Sequence, residues 1–335
     1  MLRVHFEADD LARTKVSEGP DPLWETVLSL HRLQERGPEP ALTAWRHHAS
    51  RYGPGPLRVL LPLVPPRGYF PDFLTPSAGA AGLGHGLEAV LSTPRRRLRA
   101  ELPALAAGVG LPGWTRGLAD GEVPALRRLA SALRAYHEAA LRPSWWRVAA
   151  RVEAERTLRA HTQLWSGADA MLSGFGPAMR WRPPVLEVDY PFDKDVHLGG
   201  RGLLLTPSYF CRRTPVMLAD PALPPVLVYP APPLGATRVN SPSGGAAARR
   251  EEQLARLLGH SRAAALEALA EHCATTTELA RRAGLSVSSA SEHAAVLREG
   301  GLISSVRVRN SVRHAVTPLG ARLLSGAEPG RQPPR

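Results

Sequence analysis

The sequence predicts an α+β protein that is predominantly helical: a helical N-terminal domain, a short β-containing segment continuing it, and a separate C-terminal domain. Three observations carry that class. None of the 33 prolines falls between Ser243 and Thr317, a gap of 75 residues that sets one stretch apart. Upstream, to about Gly176, apolar residues recur three and four apart between proline-rich loops, the spacing of helices that bury one face. From Val185 to Tyr229 the texture turns to short apolar runs bounded by proline, glycine or aspartate, the mark of strands.

These shifts divide the chain into 1–176, mainly helical, and 177–237, its β-containing continuation. A connector over 238–248, a domain over 249–325 and a disordered tail over 326–335 follow. In the first part Leu23, Val27 and Leu30 share one face of a helix opened by Pro22, and Leu126, Leu129, Leu133, Tyr136 and His137 repeat similarly toward Leu141. Strands are expected at Val185–Val188, Gly202–Leu205, Val216–Leu218 and Val226–Tyr229. The segment Asn240-Ser-Pro-Ser-Gly-Gly-Ala-Ala-Ala248 is small and polar, as flexible connectors are. No fixed period suggests a repeat array.

The formal net charge of +12, from 42 arginines and lysines against 30 acids, builds a field that draws polyanions, whether nucleic acid or anionic lipid. Apolar runs such as Val59–Val64 stop well short of the roughly 18 residues a spanning helix needs, so no membrane partner is expected. The opening residues carry Glu7, Asp9 and Asp10 where a secretory leader is basic and then apolar, which predicts a cytoplasmic protein. The two cysteines, Cys211 and Cys273, are too far apart for finger-like pairing and read as reduced structural thiols, with no metal expected.

The proline-free domain holds the densest pattern. Arg262–Ala270 reads as a helix striped by Ala265, Leu266 and Leu269. Thr275-Thr-Thr-Glu278 has the form of a capping box and opens a second helix to Ala283. Gly284 supplies a left-handed residue to end it, and Ser286 can cap a third helix over Val287–Glu299. That helix puts Val287, Ala290, Ala294 and Leu297 on one side and Ser288, Ser289, Ser291 and Glu292 on the other. A row of short polar side chains permits close approach to base edges in a major groove about 12 Å wide. After Gly300-Gly301, Ile303–Val308 and Val312–Thr317 alternate around Asn310-Ser311 as a β-hairpin does. It carries Arg307, Arg309, Arg313 and His314 with no acid from Gly300 to Leu324, which predicts contact with phosphates or a minor groove.

Through Glu278-Leu-Ala280, Gly284-Leu-Ser286, Ser291-Glu-His293, Leu297-Arg298, Gly301-Leu-Ile303 and Thr317-Pro-Leu-Gly320, these residues resemble the ArsR-type winged helix-turn-helix regulators over roughly 75 residues. The resemblance implies a homodimer joined through Glu251–Leu258 and the segment after Pro318, with two recognition helices on a pseudo-palindromic operator in double-stranded DNA. Metal-sensing members resemble one another in a Cys-x-Cys pair where this chain has Thr275 and Thr277. Hydroxyls do not replace soft thiolates, so metal sensing there is not expected. The first 235 residues resemble the long extensions of some actinobacterial ArsR-like regulators, in Val4-His-Phe6, Asp10-Leu-Ala12 and Gly19-Pro-Asp-Pro-Leu-Trp-Glu25.

Other clusters invite chemistry but read more simply as scaffold. Asp189, Asp193, Asp195 and His197 offer metal-ligand types, yet Asp193-Lys-Asp195 reads as a solvated turn between strands. Gly82-Leu-Gly84-His-Gly86 lacks both nucleotide fingerprints and reads as a flexible loop. Trp145, Trp146, Trp165 and Trp181 can line an apolar pocket or pack in a core. No nucleophile elbow or other catalytic signature is present, so no enzyme activity and no cofactor are expected.

The expected function is a one-component transcriptional regulator acting as a repressor. Ser288, Ser289, Ser291 and Glu292 would address bases, while Ser286, His293, Arg298, Arg307, Arg309 and Arg313 would meet phosphates. His293 can equally be half-buried. A small-molecule effector is a possible partner. The rival readings are a small-molecule-binding protein or enzyme with an appended winged helix, and an architectural DNA binder without effector.

Overall fold

The computed structural model describes residues 1–35, 40–50, 53–232, 245–269, 274–308 and 311–325. They form two compact units, Met1–Ala231 and Pro232–Arg335.

The first unit opens with β1 (Leu2–His5), α1 (Ala8–Arg13) and β2 (Lys15–Val16). A run of helices follows: α2 (Pro22–Gln34), α3 (Pro40–Ser50), α4 (Pro54–Leu60), α5 (Leu83–Leu91), α6 (Arg95–Ala106), α7 (Thr115–Ala119), α8 (Val123–Tyr136) and α9 (Trp145–Ser173). The strands β3 (Met179–Arg182), β4 (Val185–Val188), β5 (Lys194–His197), β6 (Leu204–Ser208), β7 (Val216–Met217) and β8 (Val226–Pro230) complete it.

Two four-stranded sheets result, in the orders β3-β4-β1-β5 and β2-β6-β8-β7. Both draw a strand from the first sixteen residues, which the sequence reading assigned to the helical part. Strand β1 pairs antiparallel with β4 and parallel with β5, burying Leu2 and Val4 while Arg3 and His5 point outward. Four residues at period two are too short to stand out against helical spacing. The segment expected to be a turn at Asp193-Lys-Asp195 is corrected: Lys194–His197 is β5, in register with Leu2–His5. Asp195 there accepts two bonds from Arg3 (2.8 and 2.6 Å) and one from His5 (2.8 Å), and the Arg3 guanidinium holds its carboxyl well below the usual range. The described residues contain no group of three His, Cys, Asp or Glu side chains that could hold a metal.

The helical core gathers around α2. Asp21 caps it, accepting from Leu23 N (2.8 Å) and Trp24 N (3.1 Å), and Pro22 takes the first turn, where its missing N–H costs nothing. Leu23, Val27 and Leu30 are fully buried, as are Leu129 and Leu133 on α8. Glu25 is buried among them. It accepts from Ser208 Oγ and from the Tyr209 and Phe210 N–H groups, tying α2 to the end of β6, and burial pushes its carboxyl up to about 7.

The glycine-rich stretch expected to be a loop is instead the start of α5, which begins at Leu83. A Cβ on Gly86 would lie 2.6 Å from Leu23 Cδ1, so the glycine lets α5 close on α2. The tryptophans do not share one cavity: Trp145 packs on the helical core, Trp181 on the sheet core, and Trp165 is 74% exposed.

The second unit comprises α10 (Gly245–Leu258), α11 (His260–Ala268), β9 (Ala274–Thr275), α12 (Thr276–Ala283), α13 (Val287–Glu299), β10 (Ile303–Val308), β11 (Ser311–Val316) and α14 (Pro318–Ser325). Of the expected connector, 238–244 lies outside the described residues and 245–248 already belongs to α10, where an alanine run favours helix. The expected tail, 326–335, lies outside them too. No helix among the described residues is long and apolar enough to cross a membrane.

Candidate nucleic-acid interface

The core of the second unit is small and aliphatic: Ala265, Leu266 and Leu269 from α11, Leu279 and Ala280 from α12, Ala290, Ala294 and Leu297 from α13, with Ile303 and Val316 from the hairpin. Each joint between these elements is fixed by a local hydrogen-bond device. At the start of α12 Thr275 Oγ1 accepts from Glu278 N (3.2 Å), while a Glu278 carboxylate oxygen accepts from Thr275 N (2.8 Å). That reciprocal pair satisfies donors the helix start leaves open. It also holds the Glu278 carboxyl below its ordinary value, with Arg313 and Arg282 adding to the effect.

Helix α12 ends at Gly284, whose φ of 66° is left-handed, and the Gly284 and Leu285 N–H groups both donate to the Ala280 carbonyl. Ser286 then caps α13, accepting from Ser289 N at 3.1 Å. The two helices are therefore joined by three residues. Gly301, at φ 68°, turns the chain from α13 into β10. Thr317 Oγ1 donates to the Gly301 carbonyl (2.6 Å) and accepts from Gly320 N (3.1 Å), closing the hairpin base and opening α14.

On α13, Ser288, Ser291 and Glu292 are exposed, held outward by the buried Ala290, Ala294 and Leu297. Ser289 is half-buried, and its hydroxyl lies 2.8 Å from that of Ser286, so both belong to the cap. Val287, the first residue of the helix, does not join the packed side as expected: it is 52% exposed. His293 is half-buried and Arg298 exposed.

The hairpin pairs Ile303 with Val316 through to Val308 with Ser311, so Ser311 is a strand residue rather than part of the turn. Arg309, expected at the tip, lies outside the described residues. Alternation puts Arg307 and Arg313 on opposite faces. Arg307 is exposed, whereas Arg313 is half-buried near Glu278. His314 corrects the expectation of a wing cation. It is buried at the hairpin base, with Nδ1 2.8 Å from Ser305 Oγ and Nε2 3.0 Å from Thr276 Oγ1. Burial and the nearby Arg298 push its imidazole below the ordinary value. It fastens the hairpin to α12.

Strand β9, which adds a third strand beside β11, was not foreseen, since two residues carry no period. A signal for His314 did exist: Ser305 and Thr276 are hydroxyls that an inward-facing imidazole can bond.

Three helices, a left-handed turn and a pinned hairpin in this order define the domain type. Residues 259–305 match the family described as bacterial regulatory protein, arsR family. This segment is an ArsR-type helix-turn-helix domain. No curated protein and no solved structure matches the chain. The match covers α11 to α13 and ends inside β10; the remainder of the wing of the ArsR-type domain follows from its strand register. Thr275, where metal-sensing relatives resemble one another in carrying cysteine, is committed here to the capping box, and Thr277 is exposed. Cys273 lies outside the described residues.

Proposed function

We propose that the chain is a sequence-specific transcriptional repressor that binds operator DNA as a homodimer. Helix α13 enters the major groove with Ser288, Ser291 and Glu292 at base edges, and Ser289, held to Ser286, packs beside them. Ser286, His293, Arg298, Arg307 and Arg309 serve the phosphates, and Arg313 braces Glu278. Repression needs occupancy of the operator and no further surface. The observation that carries this reading is the exposed row Ser288, Ser291 and Glu292 on a helix whose other side is buried alanine and leucine.

The two kinds of contact separate experimentally. Glu292→Ala with Ser291→Ala should change the sequence preference recovered by selection on random duplex DNA, because base-edge contacts carry discrimination. Arg307→Ala should weaken binding to all sequences alike and lower the slope of log affinity against log salt by about 0.9. Recovery of no consensus by the unaltered protein would sink the proposal.

A further inference from the structure

The first unit holds 28 arginines and lysines against 22 aspartates and glutamates, and the whole surplus of six falls between Arg95 and Arg147, where ten arginines stand against four acids. Residues 95–136 of that stretch, with eight arginines against three acids, carry α6, α7 and α8, while Glu138 and Arg142 follow α8 and Arg147 lies in the first turn of α9. Helix α6 buries Leu98, Leu102 and Leu105, and α8 buries Leu126, Leu129 and Leu133, so apolar stripes secure both helices and their arginines point outward. Helix α7 links them into one surface. Asp120, at its end, accepts from Arg95 (2.9 Å) and Arg99 (2.7 Å), while Trp114, before its start, lies under the Arg128 guanidinium, 5.5 Å from the ring centre.

Three of the four acids on this stretch are engaged by arginine: Glu101 is buried against Arg97, Asp120 serves two arginines, and Glu138 pairs with Arg142, while Glu122 is exposed. Arg96, Arg116, Arg127 and Arg134 are exposed, and none pairs with an acid among the described residues. Arg127 and Arg134 stand two turns apart on α8, about 10 Å, a spacing at which each can meet its own phosphate. Arg127 and Arg134 are like charges on one face of α8 and repel, and the buried stripes of α6 and α8 do not need the exposed arginines for packing.

We infer that the α6–α8 face binds the phosphate backbone of double-stranded DNA, without reading sequence, as a contact surface in addition to the helix-turn-helix. The inference rests on the proposed function only for the choice of duplex DNA among polyanions: a chain already held on a duplex meets backbone at high effective concentration.

The test uses the full chain with Arg96, Arg127 and Arg134 replaced by alanine, sparing Arg95, Arg99 and Arg128, which bond or stack within the unit. Anisotropy titrations on duplex DNA lacking an operator should show the salt slope reduced by about 2.7, at 0.9 per phosphate, with operator preference unchanged. The corresponding triple lysine variant should keep the slope, since backbone contact needs charge alone. An unchanged slope in the alanine variant overturns the inference, as does tighter binding of the unaltered chain to duplex RNA or to phosphatidylserine vesicles than to DNA. If the slope falls but no operator is ever selected, the face stands and the repressor reading fails. If an operator is selected and the slope holds, the reverse is true.

Discussion

At the scale of single residues, His314 decides how the wing is mounted. Its two ring nitrogens engage Ser305 on the neighbouring strand and Thr276 on α12, so one imidazole spans the joint between hairpin and helix-turn-helix. Burial depresses its folded pKa below that of the unfolded chain. The stabilisation it gives is therefore present above the unfolded value of about 6.5 and is lost as pH falls through the folded value. His314→Gln should cost the second unit about 1–2 kcal/mol at pH 8, from two neutral hydrogen bonds, and the gap should narrow at pH 5. All seven tryptophans lie between Trp24 and Trp181, so the second unit's unfolding is read by amide circular dichroism in a transition that tryptophan fluorescence does not follow. An equal gap at both pH values would show that the imidazole is not held neutral. The residue also marks a limit of reading sequence: beside Arg307 and Arg313 it counts as a cation, and only the partner across the sheet reveals that it is buried.

Among elements, what could be read from the chain was what local chemistry encodes. The capping box at Thr275, the left-handed Gly284 and the Ser286 cap bracket α12 and α13 at the residues foreseen, because each device spans three or four positions in sequence. The strands of the first sixteen residues escaped notice because their partners lie almost 190 positions away and their pattern is two to four residues long. The Gly82–Gly86 stretch misled in the opposite sense: Gly86 serves close helix packing, a property set by Leu23 and Gly79 rather than by its chain neighbours. The local devices also make the turn testable. Gly284→Ala should destabilise the second unit by about 1 kcal/mol, since a Cβ in left-handed backbone is strained, while Gly284→Asn should cost less. Urea titration by circular dichroism measures both; equal costs would mean that lost chain flexibility or packing, and not backbone handedness, governs the turn.

For the whole molecule the question is how one small reading head achieves an operator's specificity. On the proposed function, a single α13 with three exposed polar residues would address only a few base pairs, so a long operator would need two copies on half-sites about 34–36 Å apart. The surfaces proposed for that pairing are α10 and α14. Leu254 and Leu258 of the one and Leu323 and Leu324 of the other share a cluster with Ala263 of α11, yet Leu257 is 68% exposed and Leu319 48% exposed. Two large aliphatic side chains kept in water on the helices flanking a DNA-binding domain fit a face covered by a second copy. Replacing both with glutamate should leave each unit folded, since neither leucine is buried within the chain, and should shift sedimentation to the monomer. Binding to a two-half-site operator should then weaken by about 10²-fold or more, because the second contact loses its tether, while binding to an isolated half-site should stay within about twofold. If the glutamate variant still sediments as a dimer and holds the full operator with undiminished affinity, pairing runs through some other surface, and the spacing rule for the half-sites must be drawn from that surface instead.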